Sequence, residues 1–126
     1  MKNYSRQREA ILLVLRQTDC HPTANWVYEK VREQIPNISL GTVYRNLSAL
    51  VSNGDILCIN VGDGFEHYDG DIHPHIHLHC RNCKKIIDAR MENDPVSDIA
   101  NNHSFKPETT IYIAYGICEE CCKQEN

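Results

Sequence analysis

Four cysteines stand in two pairs, Cys80-x-x-Cys83 and Cys118-x-x-Cys121, with 34 residues between the pairs. Each C-x-x-C can fold as a knuckle that turns both sulfurs toward one ion, and two knuckles close the tetrahedral four-sulfur cage that suits a structural zinc ion. Such pairs have two other readings: a thioredoxin-like redox dithiol, which needs one pair beside a βαβ pattern, and two disulfides in a secreted domain. Directly before the first pair come His73, His75, His77 and His79. If that segment is a strand, alternation puts His75, His77 and His79 on one face. Asp69 lies just upstream, and Asp88 follows the first cysteine pair. Imidazoles and carboxylates without a thiolate suit iron(II) or manganese(II) with five or six ligands better than a zinc cage. Two metal sites of different chemistry are therefore expected. The plainer reading leaves the histidines on the surface and the aspartates in caps or turns.

Cys20, Cys58 and Cys122 remain outside the two pairs. Cys122 adjoins the second pair and is a spare ligand, a site of oxidation or a bystander. No apolar stretch follows Met1-Lys2-Asn3-Tyr4, and no run approaches the roughly 18 apolar residues of a membrane span. The expectation is a cytoplasmic chain with no membrane partner, in which thiols stay reduced and bind metal.

At 126 residues the chain is one domain or two small ones, and small domains bury so little apolar surface that a metal staple is common. The net charge of -4 averages over unlike halves: residues 1–50 hold seven Lys/Arg against four Asp/Glu, and residues 51–126 hold six against thirteen. That asymmetry suggests a mildly basic binding half joined to an acidic, metal-holding half, although ordinary solvated faces also carry charge runs.

The elements that must position these residues follow from periodicity. Residues 5–17 place Ile11, Val14 and Leu15 on one helical face, ended by Thr18-Asp19-Cys20-His21-Pro22. Thr23 caps a second helix to about Glu33 that buries Val27 and Val31. Ser39 caps a third, with Leu40, Val43, Leu47, Leu50 and Val51 at helical spacing and Thr42, Arg45, Asn46 and Ser48 on other faces, until Asn53-Gly54 ends it. Residues 56–60 and 65–68 flank Gly62-Asp63-Gly64 as a hairpin. Beyond it, strands are expected near 76–79, 85–89 and 110–115, with a helix over 96–102.

Three short helices and a hairpin describe a winged helix-turn-helix, whose third helix enters the DNA major groove. Thr42, Tyr44 and Arg45 on that helix, and Arg8 on the first, are the candidate DNA contacts. Arginine can take both acceptors of guanine, and a tyrosine ring can touch a thymine methyl. A small helical bundle, with Tyr44 in its core and Arg45 in solvent, fits the same pattern.

His21-Pro22-Thr23-Ala24, Gly41-Thr42-Val43-Tyr44-Arg45-Asn46-Leu47, the stretch from His75 to Cys83, Ile86-Ile87-Asp88 and Tyr115-Gly116-Ile117-Cys118-Glu119-Glu120-Cys121 together carry a family resemblance. Over nearly its whole length the chain resembles the ferric uptake regulator family of bacterial metal-dependent repressors, and most of all its peroxide-sensing branch. The resemblance implies an α+β chain: an N-terminal winged helix-turn-helix DNA-binding domain over 1–68, and a small C-terminal α/β dimerisation and metal-sensing domain over 69–126. It implies structural zinc on Cys80, Cys83, Cys118 and Cys121. It also implies a regulatory iron(II) or manganese(II) on His21, Asp69, His75, His77 and Asp88, with His21 reaching over from the first domain.

In that branch hydrogen peroxide reacts at the iron(II) form and a ligand imidazole is oxidised; His21 and His75 match the imidazoles so modified. Loss of the metal then frees a palindromic double-stranded operator from the homodimer. Iron-responsive members commonly carry glutamate where this chain has Asp69 and Asp88, and zinc-sensing members a cysteine at position 69. A further metal site of some relatives is expected to be lost here, where Pro74, Ile76 and Thr110 stand at its ligand positions. Arg45 stands where some peroxide sensors carry asparagine and iron regulators carry arginine, which leaves the operator sequence open. The residues before Ser5 are not expected to supply the extra leading helix of many relatives. His67, His73, His79 and His103 match no ligand, and His79 is a candidate outer-shell group.

Three rival readings remain. One is an iron- or manganese-responsive uptake regulator of the same fold that ignores peroxide. Another is a metalloenzyme using His75, His77 and Asp88 as a facial triad. The third is a zinc-stabilised module that binds no DNA. The resemblance favours a regulator that is not an enzyme.

Overall fold

The computed structural model describes residues 2–124. The chain divides into two compact units, Met1–Ile72 and His73–Asn126.

The first unit holds helices α1 (Lys2–Arg16), α2 (Ala24–Val31) and α3 (Leu40–Ser52), followed by strands β1 (Leu57–Ile59) and β2 (His67–Asp69). Thr23 and Ser39 cap α2 and α3: their side-chain oxygens accept from the N–H groups of Trp26 and Thr42, a bond of about 1 kcal/mol at each helix start. The helical apolar spacing buries Ile11 and Leu15 of α1, Val27 and Val31 of α2, and Val43, Leu47 and Leu50 of α3 in one core, closed by Ile56 and Tyr68. Helix α2 stops at Val31, short of the expected Glu33, and α1 begins earlier than Ser5. Strands β1 and β2 pair antiparallel with Cys58 opposite Tyr68. Their connection turns through Gly62 and Gly64 at φ 86° and 89°, which glycine adopts freely. Three helices and this hairpin are the winged helix-turn-helix arrangement.

Asn46 departs from expectation. It is buried, accepting from Arg8 Nε at 3.2 Å and donating to the Thr42 carbonyl at 2.9 Å. A helical asparagine among polar neighbours reads as surface because its partner lies 38 residues away.

The second unit is a three-stranded sheet in the order β4-β3-β5. Strand β3 (His75–Cys80) pairs antiparallel with β4 (Ile86–Arg90) and parallel with β5 (Tyr112–Gly116); α4 (Pro95–Asn102) makes the crossover. Asp94 caps α4 by accepting from the Val96 N–H. A six-residue helix, α5 (Glu119–Gln124), which the sequence pattern did not suggest, follows Cys118. Among the described residues no helix is long and apolar enough to cross a membrane.

Candidate metal centres

In the second unit the β3–β4 hairpin and the end of β5 form the cysteine cluster. Strand β3 ends at Cys80, and the chain turns through Arg81 and Asn82 with Lys84 at φ 72°. The Lys84 N–H bonds the Cys80 carbonyl at 2.9 Å, and the Arg81 N–H bonds the Gly116 carbonyl at 2.8 Å, which brings the second cysteine pair beside the first. Cys118 opens α5, and the Cys122 N–H returns to its carbonyl at 2.9 Å. The four sulfurs of Cys80, Cys83, Cys118 and Cys121 all lie within 4.8 Å of one another. Cys83 and Cys118 have their sulfurs 3.8 Å apart. A tetrahedral zinc ion with sulfurs at about 2.3 Å puts neighbouring sulfurs about 3.8 Å apart, so the cage fits that ion.

The cage is also electrostatically prepared. The N–H groups of Cys83 and Cys118 each point at Cys80 Sγ from 3.4 Å and pull its thiol down to about 5, so it is a thiolate at neutral pH. Asn82 bonds the Cys121 sulfur and pulls that thiol down as well. Protons shared with neighbouring thiols, together with burial, outweigh this and raise it to about 12. Four sulfurs this close cannot all carry charge without a cation among them. Cys20 and Cys122 are exposed and Cys58 is half-buried, and none of the three joins this cluster.

The same unit holds the histidine face. Strand alternation buries His75, His77 and His79 while Leu78 faces outward. His77 pairs across the sheet with Asp88 of β4. His75 Nδ1 donates to the His73 carbonyl at 2.7 Å, and His77 Nδ1 to the Tyr112 carbonyl at 3.3 Å. A carbonyl only accepts, so in each neutral ring the proton sits on Nδ1 and Nε2 presents its lone pair. Both Nε2 atoms face one oxygen, Asp88 Oδ1, at 3.4 and 3.6 Å. In the neutral rings the two Nε2 atoms and this oxygen are all acceptors, the arrangement of ligands around a cation whose histidines are oriented through their other nitrogens. His79 is buried with its ring edge-on to Tyr115 at 5.7 Å, and its Nδ1 has no partner among the described residues.

In the first unit His21 and Asp69 form a second donor pair, Nε2 to Oδ2 at 3.3 Å, and both residues are buried. His21 lies in the α1–α2 turn at φ 52°, and Asp69 ends β2. The Tyr68 N–H bonds the Pro22 carbonyl at 2.9 Å, which fixes strand to turn. Gly70 permits a close approach: a Cβ there would lie 2.8 Å from the Leu15 carbonyl oxygen. His67 also takes part, through contacts to His21 and Asp63 that no motif in the sequence signals.

On α3, Tyr44 and Arg45 are exposed, so Tyr44 is not a core residue. Arg45 Nη2 donates to Thr42 Oγ1 at 2.9 Å, and Ser39 Oγ donates to the same oxygen at 2.9 Å. Thr42, Tyr44 and Arg45 thus lie in the first two turns of the third helix, the part that reads base edges in helix-turn-helix proteins. Arg8 on α1 donates from Nε to Asn46 Oδ1, which braces α1 against α3.

A family model described as the ferric uptake regulator family matches residues 2–115. The peroxide operon regulator of Bacillus subtilis is 36% identical over 122 residues, covering 95% of this chain and 84% of that protein. The peroxide-responsive repressor PerR of Staphylococcus epidermidis is 33% identical over 122 residues, covering 95% and 81%. Among solved structures, the Campylobacter jejuni peroxide stress regulator superposes with a TM-score of 0.81 at 27% identity, over 94% of this chain and 91% of that one.

Proposed function

The chain belongs to the ferric uptake regulator family, and we propose that it is a metal-dependent transcriptional repressor that releases operator DNA when hydrogen peroxide oxidises histidines of its regulatory metal site. The observation that carries the reading is the convergence of two imidazole Nε2 atoms on one oxygen of the Asp88 carboxylate, beside a separate cage suited to zinc.

Cys80, Cys83, Cys118 and Cys121 would hold structural zinc. His21 and Asp69 from the first unit, with His75, His77 and Asp88 from the second, would hold iron(II) or manganese(II). A donor set of nitrogen and oxygen without sulfur suits those ions. Because the five ligands come from both units, one ion favours the arrangement in which all five donors meet, and shifts the population toward it by its differential affinity. In a twofold dimer that arrangement sets the spacing of the two α3 helices on a palindrome.

Two features of the second unit support dimerisation through its sheet. Leu78 and Ile87 lie on the face opposite the histidines, each 38% exposed. With Ala114 and Ile117 they line an apolar cleft of about 280 Å³ that a second copy would cover.

Iron(II), when bound, would supply the one-electron chemistry that activates hydrogen peroxide beside its ligands, so that one peroxide oxygen enters an imidazole and the other leaves as water, and manganese(II) would not. His21 and His75 are the imidazoles set against that oxidant. An oxygenated imidazole loses donor strength at the nitrogen it offers, the ligand set weakens, and the joint arrangement is no longer favoured. Asp69 and Asp88, where iron-responsive members commonly carry glutamate, accord with the resemblance to the peroxide-sensing branch.

The test is retention of a palindromic duplex by zinc-loaded protein as manganese(II) is titrated. The account expects DNA binding to rise with manganese(II), and binding indifferent to that ion would contradict it.

A further inference from the structure

His67 belongs to no motif, yet it makes two short side-chain contacts. Its Nδ1 lies 2.9 Å from the backbone carbonyl oxygen of His21, and its Nε2 lies 2.7 Å from Asp63 Oδ2. A carbonyl and a carboxylate are both acceptors, and the ring lies between them with one nitrogen turned to each. Asp63 is held below the usual carboxylate range, chiefly by this bond from His67, and so is ionised.

Each end of the bridge is a place where backbone shape matters. Asp63 closes the turn of the hairpin: its Oδ1 accepts from the Phe65 N–H at 3.1 Å, between Gly62 and Gly64 at positive φ. At the other end, His21 holds a left-handed φ of 52°, which a residue with a Cβ keeps only when its surroundings impose it. Alternation along β2 points His67 and Asp69 to one side and buries Tyr68 in the core. Three successive residues of one strand therefore grip the turn that carries His21: His67 takes its carbonyl, Tyr68 takes the carbonyl of Pro22, and Asp69 faces its imidazole.

We infer that His67 is a positioning residue that ties the hairpin turn at Asp63 to the backbone of His21, so that metal capture at His21 and seating of that turn on DNA favour each other. This rests on the reading of His21 as a regulatory ligand. Coupling of this kind is reciprocal: whatever holds the turn in place on DNA also holds His21 where it binds metal, and the converse follows. The bridge lies wholly within the first unit, and it needs no change in α3.

Two variants test it in zinc-loaded, full-length protein. His67→Ala removes the bridge, and Asp63→Ala removes its far end at an exposed turn residue while leaving His67 in place. The first measurement is amide hydrogen exchange without manganese(II). Both variants should exchange faster over residues 61–66, and His67→Ala also over residues 19–23, while α3 exchanges as in the parent chain. The second is manganese(II) affinity with and without a palindromic duplex. The parent chain should bind manganese(II) more tightly on DNA, and His67→Ala should lose about ten-fold of that enhancement, the scale of losing an outer partner of a metal ligand. Asp63→Ala should lose part of it.

Unchanged exchange in both segments, or an undiminished DNA enhancement in both variants, would overturn the inference. A parent chain that takes up no manganese(II) would instead overturn the assignment of His21. The exchange measurement would then still decide whether His67 ties turn to hairpin.

Discussion

His77 Nε2 and Asp88 Oδ1 face each other at 3.6 Å across a paired position of β3 and β4, while the Nδ1 of the same imidazole is taken by the Tyr112 carbonyl at 3.3 Å. The distance is longer than a charged hydrogen bond, and with Nδ1 turned to the Tyr112 carbonyl a neutral ring offers Nε2 as an acceptor beside the carboxylate. A cation satisfies both. Replacing His77 by alanine should therefore lower manganese(II) affinity by more than the about 10–100-fold that follows loss of an outer-shell partner. Zinc content, measured by elemental analysis, should stay at the parent value. Manganese(II) affinity equal to the parent's would remove His77 from the site.

His21→Ala should weaken metal-dependent DNA binding and leave zinc in place. Cys83→Ser should instead cost the fold of the second unit, because binding energy at a structural zinc site is folding energy. Elemental analysis together with thermal unfolding separates the two outcomes. Equal zinc loss in both variants would break the division into two sites.

Zinc retention should depend on pH through Cys80. Its thiol lies well below the ordinary 9.0, at about 5, so its contribution to stability is complete above about 9 and is lost as pH falls through about 5. Zinc transfer to a chromogenic chelator should quicken as pH approaches that value. A transfer rate that stays flat through it would contradict the assignment of a thiolate at Cys80.

Gly70→Ala would press a Cβ to within 2.8 Å of the Leu15 backbone oxygen, and the nearest atoms are all backbone of Leu15 and Arg16, which cannot swing aside as a side chain would. We expect a loss of about 1–3 kcal/mol, the usual cost of overpacking, in chemical denaturation of the first unit. Manganese(II) affinity should fall with it, because Asp69 precedes Gly70 directly. A fully stable variant with parent affinity would show that β2 does not need this approach.

Leu78→Asp would place a charge on the apolar sheet face while leaving the histidine face intact. Sedimentation should show a monomer at concentrations where the parent chain is a dimer, with zinc still bound. A variant that stays dimeric would move the dimer surface elsewhere.

What the sequence disclosed followed the reach of its signals. Ser39 and the apolar spacing of Val43, Leu47 and Leu50 announce α3, because caps and helical periodicity are local. The shared face of His75, His77 and His79 follows from strand alternation alone. Asn46 and His67 were opaque because their roles rest on partners 38 and 46 residues away. Helix α5 was opaque for another reason. Its sequence, Glu-Glu-Cys-Cys-Lys-Gln, has no apolar period, and its start is set by the Cys118 knuckle. The pairing of His21 with Asp69 joins a turn to a strand end, and only the resemblance to known regulators grouped them beforehand.

The most direct test of the central claim is operator retention by zinc-loaded protein carrying iron(II) or manganese(II), before and after near-stoichiometric hydrogen peroxide, at fixed salt because protein–DNA affinity depends on it. The account predicts release from the iron(II) form alone, with one added oxygen mapped by mass spectrometry to His21 or His75. DNA binding that follows the metal and ignores peroxide in both forms would contradict it, and would make the protein a regulator responsive to iron or manganese supply.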